Sequence, residues 1–320
     1  MAIHRRRSAL ILPALLLAML LSACGGGGGG GGASTAATGT PPDLSQSPGA
    51  PAFTGNTALD GFNWINYRRA QLGLSTLARN ARIDAAAQGH SDYQRLNNTV
   101  THEQTPGLPG FTGATLLDRL TNAGYQATKP YAIGEVISAT GNASGFYQAE
   151  ELITAIYHRF VMFEPVFKEV GTGAATTSAN YTYFTADLTA VAGYGAGLGV
   201  GRIVNYPAAN QTGVPTNFFS DSESPDPVPN QNEVGYPISV HSDTIRDGVG
   251  ITVQSFTVAP RGGAALSVRL LSHATDSNTG ETVAAIIPLA PLKGGTVYDV
   301  SFSGLAAGVP VTRSWSFTTR

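Results

Sequence analysis

The sequence predicts an α+β unit, an α-β-α sandwich around an antiparallel sheet, followed by an all-β sandwich. Three observations predict it. Up to about residue 219, helix-period and strand-period segments interleave without the βαβ regularity of a parallel sheet. From residue 237 onward only short alternating runs separated by turns occur. Between them SDSESPDPVPNQNEVGY, residues 220–236, crowds prolines with polar residues and loses periodicity, as a linker does.

In the first unit, taken as residues 56–219, LDGFNWINYRRAQLGL predicts a helix. Leu59, Phe62, Ile65 and Leu72 fall near helical spacing and Gly73 stops it. A second helix runs from about Ile83 through AAAQGHSDYQRL. The glycines and prolines of THEQTPGLPGFTG forbid regular structure, and TLLDRLTNAG gives a short helix ending at Gly124. AIGEVIS predicts a strand, QAEELITAIYHRF one helix stopped by Pro165, and EVGTGAA with NYTYFTADLTAV two more strands.

In the second unit, residues 237–320, the runs PISVHS, ITVQSFTVA, LSVRLLSHA, TVAAIIPLAPL, TVYDVSFSGL and VTRSWSFTTR predict a sandwich. LKGGTVYDVSFSG followed by WSFTT resembles the end of bacterial Ig-like domains. Tyr298 stands two residues before the core position Val300, as in a tyrosine corner.

The N-terminus reads MAIHRRRSALILPALLLAMLLSAC: three arginines, an apolar run short for a membrane span, then small residues before a cysteine. Residues 1–23 are therefore expected to be a secretory signal that is removed. Leu21-Ser22-Ala23-Cys24 resembles the bacterial lipobox, which implies acylation of Cys24 and tethering to a membrane. Gly25 is not the aspartate associated with inner-membrane retention, so the resemblance implies the cell envelope, at the outer membrane rather than the inner. Eight glycines and a polar, Pro- and Ser-containing stretch follow, so residues 24–55 are expected to be a disordered stalk. A chain of that length spans about 30 Å.

Removing the signal moves the formal charge from −2 to −5, which argues against nucleic-acid partners. Only 12% of the residues are charged, about half the usual share for a soluble domain. Cys24 is the sole cysteine, so no disulfide framework supports the exported domains and their cores must suffice.

Five motifs stand in order between residues 59 and 205: N-Y-R-R-A-x-L-G-L from Asn66, T-H-E-Q around His102, G-E-V-I-S around Glu135, Y-H-R-F-x-M-F-x-P around His158, and E-V-G-x-G from Glu169. Together they resemble the bacterial branch of the CAP superfamily, which includes the cysteine-rich secretory proteins, antigen 5 and pathogenesis-related 1 proteins. The resemblance implies an α-β-α sandwich whose cleft is lined by two histidines and two acids. His102 matches the first histidine and Glu135 the acid of the G-E-N motif. The second acid falls near Ala155, which cannot act as one. The family's G-H-Y-T-Q strand appears as Tyr183-Phe184-Thr185-Ala186, without histidine, and His158 matches the histidine typical of the bacterial branch.

A single helix over the 148–160 run points His158 away from the apolar stripe of Leu152, Ile153, Ile156, Tyr157, Phe160 and Val161, beside Glu151. Glu135 alternates with Ile133 and Ile137, so its carboxylate needs a partner among apolar neighbours, and a histidine would serve. The expected cleft is therefore His102, Glu135, His158 and Glu151, with His102 and His158 as ligands of a divalent metal such as zinc. The bland readings are a loop residue for His102, a carboxylate on backbone amides for Glu135 and a solvated helix end for His158. His90 is expected to be structural, and His241 and His273 carry no assignment.

H-E-x-x-H, G-x-S-x-G and C-x-x-C motifs are absent, and nothing singles out Ser138 or Thr101 as a nucleophile. The resemblance implies binding of lipids or other extracellular partners. The alternatives are a metal-assisted hydrolase of extracellular peptide or cell-wall material, and a structural or adhesive surface protein.

Overall fold

A computed structural model describes residues 44–243 and 248–320. The expected signal, Cys24 and most of the stalk lie outside the described residues. The helices are α1 (Thr57–Gln71), α2 (Ala81–Asn97), α3 (Leu116–Asn122), α4 (Gly145–Thr154) and α5 (Ile156–Met162). None of the described helices is long and apolar enough to cross a membrane.

The first sheet holds β1 (Ala78–Arg79), β2 (Ala132–Thr140), β3 (Glu169–Thr176) and β4 (Thr182–Ala190), in the order β1-β3-β4-β2. β4 runs antiparallel to both β3 and β2, and the short β1 adds parallel to β3. Side chains alternate between the faces of a strand, and each face of this sheet receives its own helices.

One face takes α2. A Cβ on Gly171 would lie 2.2 Å from the backbone of Ile83 and Asp84, and one on Gly173 2.2 Å from Gln88 N. The two glycines are flat ground on which the helix backbone rests. Gln88 and Asp84 secure the contact, accepting from the amides of Ala174 and Thr172. The opposite face takes α1, α4 and α5. Phe184 of β4 fills the space over Gly61, Thr172 Oγ1 donates to Ala58 O, and Val161 of α5 sits over Gly134 of β2. α1 and α4 are further joined by Glu150, which accepts two bonds from Arg68 and one from Trp64 Nε1.

The remaining strands are β5 (Val204–Tyr206), β6 (Gln211–Val214), β7 (Asn217–Phe219), β8 (Glu233–Gly235), β9 (Ile238–His241), β10 (Ile251–Pro260), β11 (Val268–Ser272), β12 (Val283–Pro288), β13 (Val297–Ala306) and β14 (Val309–Thr319). They form two four-stranded sheets, β10-β13-β14-β6 and β11-β12-β9-β5, and a β7-β8 pair. Phe256, Val258, Val300 and Phe302 of one sheet share a core with Ile238, Val240 and Ile286 of the other. Lys293 N donates to the Tyr298 hydroxyl at 2.8 Å, tying that tyrosine back to the backbone preceding its strand.

Two details differ from the sequence expectation. The 148–160 run is two helices, because Ala155 takes an extended conformation (φ −68°, ψ 120°) and so ends α4 while preceding α5. Strand pairing also reaches back before the 220–236 stretch: β5 joins β9, and β6 joins β14 in parallel.

The seam between the α-β-α layers and the β-rich part is buried. The Arg159 guanidinium lies over the Tyr206 and Tyr236 rings, at 4.8 and 5.1 Å, and donates to Pro237 O at 2.7 Å. Phe160 and Phe163 meet the His241 ring edge-on. Burial pushes the imidazole pKa of His241 down to about 3 and the Glu164 carboxyl up to about 7. A fragment of residues 238–320 would lack β5 and β6 and expose this seam. We expect it to lack a cooperative thermal transition by circular dichroism, whereas the full chain should unfold in one transition; a cooperative 238–320 fragment would contradict this.

Candidate functional site

The site forms on the sheet face that carries α2, where α3 and the loop after α2 close over β2 and β4. Glu135 on β2 points to this face, opposite Asp187 on β4 in register. Glu135 is buried and accepts two charge-assisted bonds: His102 Nδ1 lies 2.8 Å from Oε1, and Arg119 Nη2 2.5 Å from Oε2. Burial pushes the Glu135 carboxyl up, yet the nitrogen groups of His90, Arg119 and His102 outweigh burial and hold it below the usual carboxylate range.

Arg119 is set by α3, whose capping box pairs Thr115 with Asp118. Besides holding Glu135, it donates through Nη1 to His102 O at 2.9 Å, so one guanidinium fixes both the acid and the backbone of its histidine partner. His102 is then anchored at two points, and the carboxylate requires Nδ1 to carry the proton. Its other ring nitrogen, Nε2, is buried and has no hydrogen-bond partner among the described residues. Such a histidine presents a fixed electron pair on Nε2, the arrangement by which a carboxylate prepares an imidazole for a metal or a ligand donor.

The rest of T-H-E-Q builds the frame. Gln104 Nε2 donates to His90 Nδ1 at 2.9 Å, leaving His90 Nε2 to donate to Thr101 O at 2.7 Å. Gln104 Oε1 accepts the Thr112 amide, so the loop is laced to α2 through its own side chain. His90 is wholly buried, and burial pushes its pKa down to about 4 despite the nearby Glu135 charge. It is a neutral structural imidazole. Leu96 at the end of α2 and Leu108 and Phe111 in the loop after it are exposed, with Leu96 close to Gly110 of that loop.

Asp187 is the residue that sequence reasoning missed. It is fully buried directly across from Glu135, and as a protonated carboxyl it has the Glu135 carboxylate as its hydrogen-bond partner. Burial, followed by the Glu135 charge, raises its pKa well above the usual range, so it is held as the neutral acid beside an ionised one. The unfolded chain ionises an aspartate near pH 4 and the folded chain does not, so the wild type loses stability as pH rises above that value. Asp187→Asn removes this loss. Its advantage over the wild type in denaturant unfolding should grow from pH 4 upward and reach about 1–3 kcal/mol at neutral pH; a difference that stays constant with pH would refute the neutral-acid assignment.

The expected meeting of His158 with Glu135 does not occur. Gly134, next to Glu135, faces Val161 of α5, so α5 packs on the opposite side of the sheet. His158 Nδ1 is instead 2.9 Å from Glu223 Oε1, in the proline-rich stretch. Glu151 is exposed on α4, hydrogen-bonded to Tyr147. No group of three or more His, Cys, Asp or Glu among the described residues is arranged to hold a metal ion. His102 and His158 thus belong to different clusters, each with its own glutamate.

Residues 62–188 match the model of the family described as CAP, cysteine-rich secretory protein family. No curated protein matches the chain. Among solved structures, an extracellular protein containing an SCP domain from Bacillus anthracis is similar, with 23% identity over 41% of this chain and 39% of that one, at a TM-score of 0.35. An outer surface protein from Borrelia burgdorferi is similar at 16% identity over 40% of this chain and 87% of that one, with a TM-score of 0.33. This chain therefore spans about two fifths of the length of the first of these proteins. The segment that contributes α2, α3, the four-stranded sheet and the His102–Glu135 pair, residues 62–188, is a domain of the CAP family.

Proposed function

We propose that the protein is an extracytoplasmic binding module, exported by its N-terminal signal and held at the cell envelope through Cys24. Its CAP domain takes an apolar ligand with a hydrogen-bond-donating head, such as a lipid bearing a hydroxyl group. One observation carries the reading: His102 is pinned by Glu135 and Arg119, with its Nε2 electron pair unpartnered among the described residues. An unpartnered buried acceptor carries a desolvation cost that a ligand donor would relieve. Leu108 and Phe111, exposed in the loop that also carries His102, are read as the apolar surface for a chain or ring. The β-rich part is read as an Ig-like spacer, supported by two facing sheets and the Tyr298 tie.

A calorimetric titration with monooleoylglycerol and, separately, with zinc tests this. The wild type should bind the lipid, and His102→Ala should weaken binding by about tenfold or more, as expected for losing a buried polar contact. Binding unchanged in His102→Ala would sink the assignment. Zinc binding with hydrolysis of peptide or cell-wall material would favour the metal-assisted hydrolase instead.

A further inference from the structure

The loop after α2 repeats one unit: Thr105-Pro106-Gly107-Leu108 is followed at once by Leu108-Pro109-Gly110-Phe111. In each, the last amide donates to the first carbonyl, Leu108 N to Thr105 O at 3.3 Å and Phe111 N to Leu108 O at 3.2 Å. The glycines take positive φ, 86° at Gly107 and 75° at Gly110. Proline second and glycine third is what a type II turn requires. The double turn is seated on the end of α2: Thr105 N donates to the Tyr93 hydroxyl, Asn97 Nδ2 donates to Pro109 O, and Leu96 lies against Gly110. Every residue from Thr105 to Phe111 is exposed, and no charged residue occurs between Gln104 and Leu117.

This end of the domain is apolar beyond the loop itself. Leu96, Leu108, Phe111 and Tyr181 are 49, 42, 39 and 39% exposed. Tyr181 belongs to the same end, because its ring meets that of Tyr183, whose hydroxyl donates to Asn98 at the C-terminal cap of α2. Four side chains at these exposures offer roughly 300 Å² of apolar surface, well short of the ~800 Å² per partner of a stable dimer. The backbone suits a lipid surface instead, where unbonded polar groups are what costs most. Pro106 and Pro109 have no N–H, the amides of Leu108 and Phe111 close the turns, and Tyr93 takes that of Thr105. Of the double turn's amides, those of Gly107 and Gly110 alone have no partner among the described residues.

We propose that the double turn docks on a lipid bilayer, with Leu108 and Phe111 entering the headgroup boundary, Leu96 beside them and the Tyr181 ring at the level of the headgroups. The proposal rests on the anchoring through Cys24 proposed above. Cys24 stands about 20 residues before Leu44, and a chain of that length reaches at most about 70 Å however it is arranged. An anchored domain therefore stays within reach of the bilayer. A patch too small to hold it there alone is then enough to set which end faces the lipid. Docking brings the loop that carries His102 to the phase in which an apolar ligand resides.

The test uses the full chain purified from membranes and reconstituted in phosphatidylcholine vesicles, with one environment-sensitive fluorophore on Phe111→Cys, Tyr181→Cys or Gln126→Cys. Acylation would leave Cys24, the sole native cysteine, unavailable to the label. Gln126 is exposed in the segment leading into the other end of β2 and serves as the control. The labels at 111 and 181 should shift to the blue and be quenched by doxyl-phosphatidylcholine, and the label at 126 should do neither. Adding Leu108→Ser and Phe111→Ser to the Tyr181→Cys chain should abolish its quenching while the protein still floats with the vesicles. Flotation without quenching at 111 and 181, or quenching that survives the serine substitutions, would overturn the docking and leave the anchor standing. Quenching at 111 alone would mean a single lipid bound as ligand, and a blue shift without quenching would mean a second copy; either overturns the proposal. A chain that does not float would overturn the anchoring through Cys24 and the docking with it.

Discussion

Replacing Arg119 with methionine is expected to destabilise the protein by about 3–5 kcal/mol in denaturant unfolding, the cost of leaving a buried charge without its partner. Arg119 is 1% exposed and is the cation bonded to Glu135; it also holds the carbonyl of His102. Methionine fills the same volume without the charge, so the loss should come from Glu135. The double variant Arg119→Met/Glu135→Met should therefore be more stable than Arg119→Met alone, because no uncompensated carboxylate remains. Equal destabilisation of the single and double variants would show that Arg119 acts through packing instead.

The second large effect concerns Gly173. A methyl group there would meet Gln88 N at 2.2 Å, a backbone atom of α2 that no rotamer change can move aside. Gly173→Ala must lift α2 from the sheet, and with it Ser91 and Gln94, which bond to Thr185. We expect a loss of about 3 kcal/mol, the upper end for overpacking, with thermal stability falling accordingly. Gly141 has open space around it, so Gly141→Ala serves as the control that should change little. Similar melting temperatures for the two variants would contradict the close approach of α2.

The same residues show what the sequence made legible. The layered arrangement followed from period alone, since the apolar spacing of α1 and α2 and the alternation in β2 to β4 are local properties. E-V-G-x-G was read as a family motif, and its physical meaning became visible only with α2 in contact: the glycines admit a backbone, and Glu169 accepts from Asn80 and from Tyr125, whose hydroxyl burial raises to about 12.

The misplacement of His158 has a local cause. A helical wheel is valid only while the helix is continuous, and Ala155 breaks it, which no composition rule marks. A carboxylate from residue 223 then determines the ring's partner, and such long-range capping leaves no trace in spacing. Asp187 was missed because its importance lies across the strand from Glu135, 52 residues earlier in the chain. A signal for it was present: Thr185, Asp187 and Thr189 alternate with the apolar Phe184, Ala186, Leu188 and Ala190, and Thr185 meets Ser91 of α2. Arg119 was hidden for a similar reason, since in LLDRLTN an arginine reads as the solvated side of a short helix, yet it is buried.

The central claim is that His102 is a pre-oriented acceptor at the ligand site of the CAP domain. The most direct measurement is the ¹⁵N spectrum of His102 in the full chain, before and after adding monooleoylglycerol. The account predicts a single tautomer with the proton on Nδ1 and an unprotonated Nε2 that shifts toward a hydrogen-bonded position when the lipid is added. A His102 ring whose Nε2 already carries the proton, or whose signals stay fixed while calorimetry shows the lipid binding, would contradict it.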